Sequence, residues 1–386
     1  QTKAVGACAS AVAVPIDPET RSATVYVAFG EMRADADAAL STARQQGFKV
    51  LFDAVRMKWK ERAQFGAWPI GAGDDVLGLK ERAVVTLLTL ADTKTGAVAR
   101  GPHSQPATCV AMPRDVAWLA YALDLVSQTE TVTNLLKFYA RHVRTDDAPG
   151  APAGSLPAML YANGEEAAPQ IVLDVQAPAW LLWSIWQHDA QVPEGDREVY
   201  RNDLWKSVEL SGDFLSNWSR AVRDTPAFSY EYARKSDMHT LETIAVVYAG
   251  LRAAVAFARA IGQEKPDWFA RAVELEDYLR FNALNPVGNF KIDDPLTLWM
   301  TDIVGAGDPR WQNAVQTAMQ KVQENAGPES LESLAQLAML LRGQRDKLDA
   351  LKPLVLPAAQ KALDAYPCDS YYAALGVVAI RTVFGP

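Results

Sequence analysis

The sequence predicts an all-α protein whose main part is an (α/α)6 toroid of six helical hairpins, preceded by a short β segment and a linker helix. The chain has 386 residues, of which 49% are hydrophobic, so it can bury a large core. From residue 77 onward, apolar residues recur with the period of amphipathic helices, and helix-start and helix-stop signals divide this region into twelve segments. Twelve helices taken in pairs give six hairpins.

Residues 1–33 are predicted to contain a short β segment. Two runs, 11–15 and 23–29, are rich in β-forming residues and are separated by Asp17-Pro18. Two strands alone do not form a stable sheet, so we expect them to pair with a partner outside this chain or to pack on the rest of it. The chain begins with Gln1 and not with Met, from which we expect that an upstream segment has been removed.

Residues 34–76 are predicted to form a linker helix and a loop, because an Ala-rich, charged stretch is followed by a Gly- and Pro-rich one. Residues 77–386 then form the helical domain. Proline in a first helical turn and Asp or Thr at an N-cap mark several of its helix starts. The predicted helices are 77–92, 113–127, 129–142, 175–189, 196–220, 239–262, 266–282, 295–304, 309–325, 328–343, 346–364 and 369–384.

Alternate helices of such a toroid are equivalent, and the even-numbered ones form a parallel inner layer. Their N-termini share one rim, where the positive ends of the helix dipoles also gather. The sequence therefore predicts that a set of polar residues lies together there, although each is also an ordinary helix cap. The set comprises Arg114, Asp115, Asp174, the segment 230–242, Asp293, Asp294, Glu329 and Asp369.

Several segments, in chain order, resemble motifs of the bacterial glucoamylase-like enzymes of glycoside hydrolase family 15. The resemblance implies an (α/α)6 catalytic domain that removes glucose from the ends of α-glucans with inversion at the anomeric carbon. It covers most of residues 1–280 and fades beyond them. It also implies that residues 1–33 are the C-terminal strands of a β-sandwich domain, the rest of which lies in an upstream domain or chain. The segments are Thr95-Gly-Ala-Val-Ala-Arg100, Met112-Pro-Arg-Asp115, Asn163-Gly164, Ile171-Val-Leu-Asp174, and His239-Thr240 followed by Val246-Val-Tyr-Ala-Gly-Leu-Arg-Ala-Ala254 and Phe257-Ala258.

The resemblance implies that Arg114 and Asp115 hold hydroxyl groups of the terminal sugar. A guanidinium offers a planar set of donors and a carboxylate accepts from hydroxyls, so the residue types suit this task. A salt bridge and helix cap at the start of the second predicted helix is the alternative. Tryptophan and tyrosine number 11 and 12, and such rings stack on sugars or fill a core. Further substrate-binding candidates are Asp174, Tyr230, Arg234, His239 and Trp299.

The catalytic residues depart from the family pattern. Inverting hydrolysis needs two carboxyl groups roughly 6.5–9.5 Å apart, one as proton donor and one to activate water. The family's acid lies in a Trp-Glu-Glu triplet, which is replaced here by Ala233-Arg-Lys235. We therefore expect Glu231 to be the acid, with Asp237 and Glu242 as other candidates. Asp369 is the candidate base, and its position fits a helix N-cap equally well.

Two alternatives to a hydrolase stay open. The first is a non-catalytic sugar-binding subunit that has kept the fold and lost the acid. The second is a lyase-type or other non-hydrolytic enzyme, because tyrosine, histidine and a cation lie close together between Tyr230 and His239 and can abstract a proton. The separation of Glu231 from Asp369 distinguishes hydrolysis from the other two.

Composition argues against several other classes of partner. A net charge of -8, without clusters, is unfavourable for nucleic acid or anionic membranes. No apolar run approaches the roughly 20 residues of a membrane span. We predict no metal and no cofactor, since Cys8, Cys109 and Cys368 form no C-x-x-C pair. We expect Cys109 and Cys368 to be inert thiols, and a periplasmic or secreted, proteolytically processed chain.

Overall fold

The computed structural model divides into two compact units, Gln1–Gln64 and Phe65–Pro386. The boundary falls inside the predicted linker, 34–76. For residues 219–224 and 282–284 only the backbone is described. The residues that the structure describes are 16–19, 21, 23–28, 30, 32–63, 73–102, 109–148, 151–167, 174–224, 241–284, 295–325 and 327–385.

In the first unit the described residues form one long helix, α1, at Arg33–Ala63, with a kink at Gly47, where φ is 78°. Its apolar side chains Phe48, Phe52 and Val55 are exposed, and the first two rings stack at 5.5 Å. The described residues 23–28 form no strand, and the run 11–15 lies outside the described residues. A strand needs a partner for its backbone hydrogen bonds, and no described segment supplies one. The β-sandwich therefore stays a prediction.

In the second unit the structure confirms all twelve predicted helices, with ends within four residues of the predicted positions. A short 3-10 turn, Pro113–Asp115, precedes the second of them. Within the described residues of this unit there are no strands, only isolated bridges such as Ala111 with Leu160. The helices are α2 Asp74–Leu90, α3 Val116–Leu125, α4 Thr129–Arg141, α5 Gln176–Asp189, α6 Glu194–Asp224, α7 Leu241–Ala260, α8 Pro266–Leu284, α9 Pro295–Thr301, α10 Pro309–Glu324, α11 Ser330–Leu340, α12 Arg345–Ala365 and α13 Ser370–Phe384.

Local chemistry explains where these helices begin and end. Proline opens α8, α9 and α10, where its missing N–H leaves no hydrogen bond unmade. The Asp308 carboxylate caps α10 by accepting from the Arg310 N–H at 2.8 Å. Glycines with positive φ, Gly262 and Gly343, follow α7 and α11 in the left-handed conformation that ends a helix.

Alternate helices pack against one another in a closed cycle. Helix α3 contacts α5, and the contacts continue through α7, α9, α11 and α13 back to α3. The other helices pack on the outside of this cycle, for example α4 on α3 and α5. The approach of α7 to α5 needs a glycine, because a Cβ on Gly250 of α7 would lie 2.7 Å from the Ala179 carbonyl oxygen of α5.

Aromatic rings fill the middle of the cycle. Trp118 of α3 and Trp299 of α9 belong to opposite members of the cycle, and their ring centroids are 5.6 Å apart. Trp183 of α5 meets Trp299 edge-on at 5.5 Å, and Tyr121 lies 6.2 Å from Trp183. These contacts join three helices of the cycle across its interior.

A buried polar network joins the C-terminal ends of α3 and α5 to the N-terminal half of α4. His188 is fully buried, and its Nδ1 lies 2.9 Å from an Asp124 carboxylate oxygen. Its Nε2 lies 2.9 Å from the Thr133 hydroxyl oxygen. Burial raises the pKa of Asp124, and the hydrogen bond to His188 opposes that shift. The network satisfies polar groups that would otherwise be costly inside the core.

Helix α7 is long and apolar enough to cross a membrane, contrary to our expectation from the sequence that no such run exists. Its most apolar 18-residue window has a mean hydropathy of 1.5, but 78% of that window is buried inside the protein. Its apolar side chains are covered by α5, α6, α8 and α9. The hydropathy of α7 is therefore that of a core helix.

Candidate functional site

A charged cluster of Arg100, Asp115 and Asp369 lies where α3 and α13 begin. Arg100 Nη1 is 3.9 Å from Asp115 Oδ2, and Arg100 Nε is 3.2 Å from Asp369 Oδ2. Two of the carboxylates that the sequence predicted to share a rim are thus joined by one guanidinium. Beside this charged cluster, Arg114 Nη2 lies 3.9 Å from Glu242 Oε1 at the start of α7.

Arg100 is the central residue of the charged cluster, and our sequence analysis assigned it no role. Backbone hydrogen bonds fix its loop. The Arg100 N–H donates to the Val110 carbonyl, and the Arg100 carbonyl accepts from the Ser370 N–H, both at 2.8 Å. Its guanidinium also lies over the Tyr371 ring, 5.2 Å from the centroid. The one signal in the sequence was its place at the end of the Thr95–Arg100 motif.

Asp115 ends the 3-10 turn before α3 and is only 7% exposed. Burial raises the pKa of Asp115 to about 7, and the charge of Asp369 adds to this effect. The positive charges of Arg100 and Arg114 oppose it. Near neutral pH this carboxyl therefore exists in both protonation states, so it can donate a proton or accept one.

Asp369 caps α13, as the sequence predicted. Its Oδ1 accepts from the N–H groups of Tyr371 and Tyr372 at 2.9 and 3.2 Å, while Oδ2 faces Arg100. Both carboxylate oxygens are thus engaged with hydrogen-bond donors. The role of Asp369 as the base stays a prediction.

Asp174 and Gln176 form a neighbouring part of the site at the start of α5. Asp174 Oδ1 accepts from the Gln176 N–H at 3.0 Å, as a capping residue does. Burial raises the pKa of Asp174, while Arg114 and the helix N–H groups lower it. The Gln176 side chain donates to the Thr243 hydroxyl of α7 at 2.8 Å. The starts of α3, α5 and α7 therefore meet, as the parallel inner layer requires.

Glu332 and Tyr371 are site residues that our sequence analysis missed. The Tyr371 hydroxyl is hydrogen-bonded to Glu332 in the first turn of α11, which adds the start of α11 to those of α3 and α13 at the charged cluster. Burial raises the pKa of Tyr371, and the charges of Glu332 and Asp115 raise it further. Glu332 follows the predicted Glu329 by three residues, one helical turn later, and this spacing was the available signal.

Trp299 lies in the aromatic centre of the helical cycle, partly exposed, against Trp118 and Trp183. This position is compatible with core packing and with stacking on a sugar. The remaining predicted residues of the site lie outside the described residues. They are Tyr230, Glu231, Arg234, Asp237, His239, Asp293 and Asp294. Because Glu231 is one of them, the predicted distance between Glu231 and Asp369 is not tested.

In the part of the chain that the structure describes, no group of three or more His, Cys, Asp or Glu side chains could hold a metal ion. Cys109 is partly buried and Cys368 is exposed, and both are free thiols. The charged groups around Arg100 combine one buried and one partly buried carboxyl with a guanidinium, so they are a candidate for chemistry through hydrogen bonds and proton transfer.

The fold belongs to a known class. A wild-type glycosidase superposes on 82% of this chain and 99% of its own with a TM-score of 0.57 at 12% identity. A glycosidase variant in complex with glucose gives a TM-score of 0.56 at 13% identity over the same shares. An uncharacterized conserved protein from Thermus thermophilus covers 78% of this chain and 99% of its own, with a TM-score of 0.50 at 12% identity.

The chain thus has a glycosidase-like, mostly helical fold. No protein-family model matches it. No curated protein matches it either. At 12–13% identity, the likeness to the glycosidases establishes the architecture and leaves the chemistry to the residues of the site.

Proposed function

We propose that this chain is a carbohydrate-active, glucoamylase-like protein of the glycoside hydrolase family 15 type, which hydrolyses an α-glucosidic or related bond with inversion. The closed cycle of alternate helices supports an (α/α)6 toroid. The glycosidase likeness over 82% of the chain and the glucose held by one of those neighbours support a carbohydrate substrate. The ordered motifs from Thr95 to Ala258 support the family.

The observation that carries the proposal is the buried Asp115 beside Arg100 and Asp369, with Arg114 exposed next to it. Donors and acceptors that alternate over a short distance match the hydroxyl groups of a sugar ring, each of which both donates and accepts. Arg114, with about half of its side chain exposed, is free to turn toward such a ligand. The aromatic centre of the helical cycle offers apolar faces for the sugar ring.

For the chemical step, Glu231 is proposed as the acid and Asp369 as the base. Asp115 is the alternative acid, because its pKa of about 7 lies in the range in which a carboxyl group donates a proton near neutral pH. Glu231 and Asp115 make different predictions for the pH dependence of the reaction. If Asp115 is the acid, the rate falls as the pH rises through about 7, and the Asp115→Asn variant removes this limb.

A second candidate function is favoured by the geometry of Asp369. Its two oxygens already accept from two N–H groups and face Arg100, which leaves few open acceptor positions to hold an attacking water molecule. A protein with that arrangement can bind a sugar without hydrolysing it. The second candidate is therefore a non-catalytic sugar-binding subunit on the same scaffold.

The test is a screen of α-glucosides and uronides with product detection by NMR, which also reports the anomer first released. Hydrolysis that releases the β-anomer first from an α-glucoside is the expected result. The variants Glu231→Gln and Asp115→Asn are compared with Asp203→Asn, a matched control at the half-exposed pair with Lys137. Loss of the acid should lower kcat by about 10²- to 10⁴-fold, and the control should leave it unchanged.

The outcomes separate the two candidates. No turnover of any substrate, together with glucose binding that Arg114→Gln weakens, would establish the second candidate and refute hydrolysis. Release of the α-anomer first would contradict inversion. An unsaturated product would indicate a lyase. Absence of both turnover and sugar binding would refute both candidates.

A further inference from the structure

A cavity of about 270 Å³ opens at the end of the helical cycle opposite the charged cluster. Its lining comes from the C-terminal ends of α3, α11 and α13 and from the first turns of α12. The charged cluster, in contrast, lies at the N-terminal ends of the same three inner helices. The cavity is therefore a separate feature from the proposed sugar site.

Three arginines, Arg342, Arg345 and Arg381, line this cavity together with Tyr121 and Thr382. No carboxylate is found among the described residues of its lining. The whole chain has 46 acidic and 38 basic residues, so a concave surface with three cations and no anion is a local reversal of the protein's charge. A concave lining of one charge concentrates the field and favours a counter-ion.

The described contacts of Arg342 and Arg345 neutralise their charge only in part. Arg342 donates to the Tyr121 hydroxyl at 3.0 Å, a neutral partner. Arg345 donates to the Gly385 carbonyl at 2.9 Å and lies 3.5 Å from a carboxylate oxygen of Asp349. That carboxylate oxygen is closer to Lys352, at 2.7 Å, so its charge is divided between two cations.

The charge of Arg381 acts on a neighbouring lysine. Burial lowers the pKa of Arg381. Burial also lowers the pKa of Lys80, Glu81 opposes this shift, and the charge of Arg381 lowers the pKa further. Burial thus disfavours the charged forms of both side chains, and an anion bound nearby would favour them.

Complementing helix dipoles is the simpler explanation for these arginines, because Arg342 and Arg381 lie at the C-terminal ends of α11 and α13. That explanation does not extend to Arg345, which begins α12 and adds its charge to the positive end of that helix. It also predicts that Arg342 donates to a helix carbonyl, whereas its described hydrogen bond goes to the Tyr121 hydroxyl.

We propose that this cavity is an oxyanion site that binds a phosphate or sulfate group through Arg342, Arg345 and Arg381. Guanidinium groups bind such tetrahedral anions with paired N–H donors, and three of them around one cavity surround the anion. The Thr382 hydroxyl, whose described contact is the weak acceptor Met339 Sδ at 3.9 Å, supplies a neutral donor. The ligand is inorganic phosphate, sulfate or the phosphate group of an ester.

Calorimetric titration of the full chain with sodium phosphate and sodium sulfate, at an ionic strength held constant with sodium chloride, tests the site. Saturable binding with one site per chain is expected. Arg342→Gln should weaken it at least tenfold, and Arg342→Gln/Arg345→Gln should abolish it. Arg310→Gln is the matched control, because that exposed arginine is paired with Asp308 on α10, away from the cavity.

Arg342→Gln keeps the test valid even if the double variant fails to fold, since Arg342 is exposed and has a single described hydrogen bond. Heat no greater than that of chloride, or equal affinity in Arg342→Gln and Arg310→Gln, would overturn the proposal. The same titration with glucose 6-phosphate distinguishes a phosphate ester from a free anion as the ligand. If glucose 6-phosphate binds ten times more tightly than inorganic phosphate, the ligand is an ester, and if the two affinities are equal, the ligand is a free anion. Binding of phosphate does not require the sugar site, so Asp115→Asn should retain it.

Discussion

Replacing Asp115 by Asn should make the protein more stable at neutral and alkaline pH. The pKa of the buried Asp115 is about 7, compared with an ordinary value of 3.8. Because the folded-state pKa lies above the unfolded one, the stability due to the protonated form is fully present below pH 4 and is lost as the pH rises through 7. The difference is about three pKa units, which corresponds to about 4 kcal/mol.

At pH 8 the wild type therefore holds a buried carboxylate at a cost of up to about 4 kcal/mol, and Asn at the same position carries no such cost. We expect Asp115→Asn to exceed the wild type in free energy of unfolding by up to that amount at pH 8. The gain should decline between pH 7 and pH 4 and disappear below. Arg100→Gln should have the opposite effect at pH 8, because Arg100 lowers the pKa of Asp115.

The assay is urea denaturation followed by tryptophan fluorescence at half-unit steps from pH 4 to 8.5, with fits that check for an unchanged m-value. The control is Asp203→Asn, whose partly exposed pair with Lys137 contributes at most about 1 kcal/mol. A variant Asp115→Asn that is less stable than the wild type at pH 8, or a difference independent of pH, would refute the electrostatic account of this residue.

Two further predictions concern the packing of the helical domain. His188→Ala leaves the Asp124 carboxylate buried without its imidazole, so we expect a loss of about 3–5 kcal/mol in urea denaturation, and a loss below 1 kcal/mol would contradict this. Gly96→Ala should lower the free energy of unfolding by more than about 1 kcal/mol, because φ is +87° and a Cβ would collide with the Asn134 carbonyl. Gly78 lies inside α2 with open space around it, so Gly78→Ala should raise the free energy of unfolding by up to about 1 kcal/mol in the same assay. If both glycine variants changed the free energy of unfolding in the same direction, the reasoning would be refuted.

The helices could be predicted from the sequence because their signals are local. Pro266 and Pro295 open helices, and Asp369 caps one, at positions that need no knowledge of the rest of the chain. The strand predicted at 23–29 depends on a partner, and its described residues 23–28 pair with no described segment. A run of β-forming residues specifies an extended preference, but a strand exists only where a second segment pairs with it.

The site was predictable only in part, because it depends on contacts between distant segments. Asp115 and Asp369 could be predicted because helix-start signals are local in the sequence. Arg100 lies in a loop after α2. It reaches the Asp115 and Asp369 carboxylates because its backbone is hydrogen-bonded to the start of α13, which is far away in the sequence. Periodicity identifies the buried face of a helix and does not identify the helix that covers it. Glu332 was missed for the same reason.

The contact between Trp118 and Trp299 bears on how the two proposed binding sites could communicate. Along α3, Trp118 lies between Asp115 of the charged cluster and Tyr121 of the arginine-lined cavity. Its ring meets that of Trp299, from the opposite member of the helical cycle, at 5.6 Å. If both proposals hold, an anion bound at Arg342 would act on a sugar bound beside Arg100 through these packed rings and the helices that carry them.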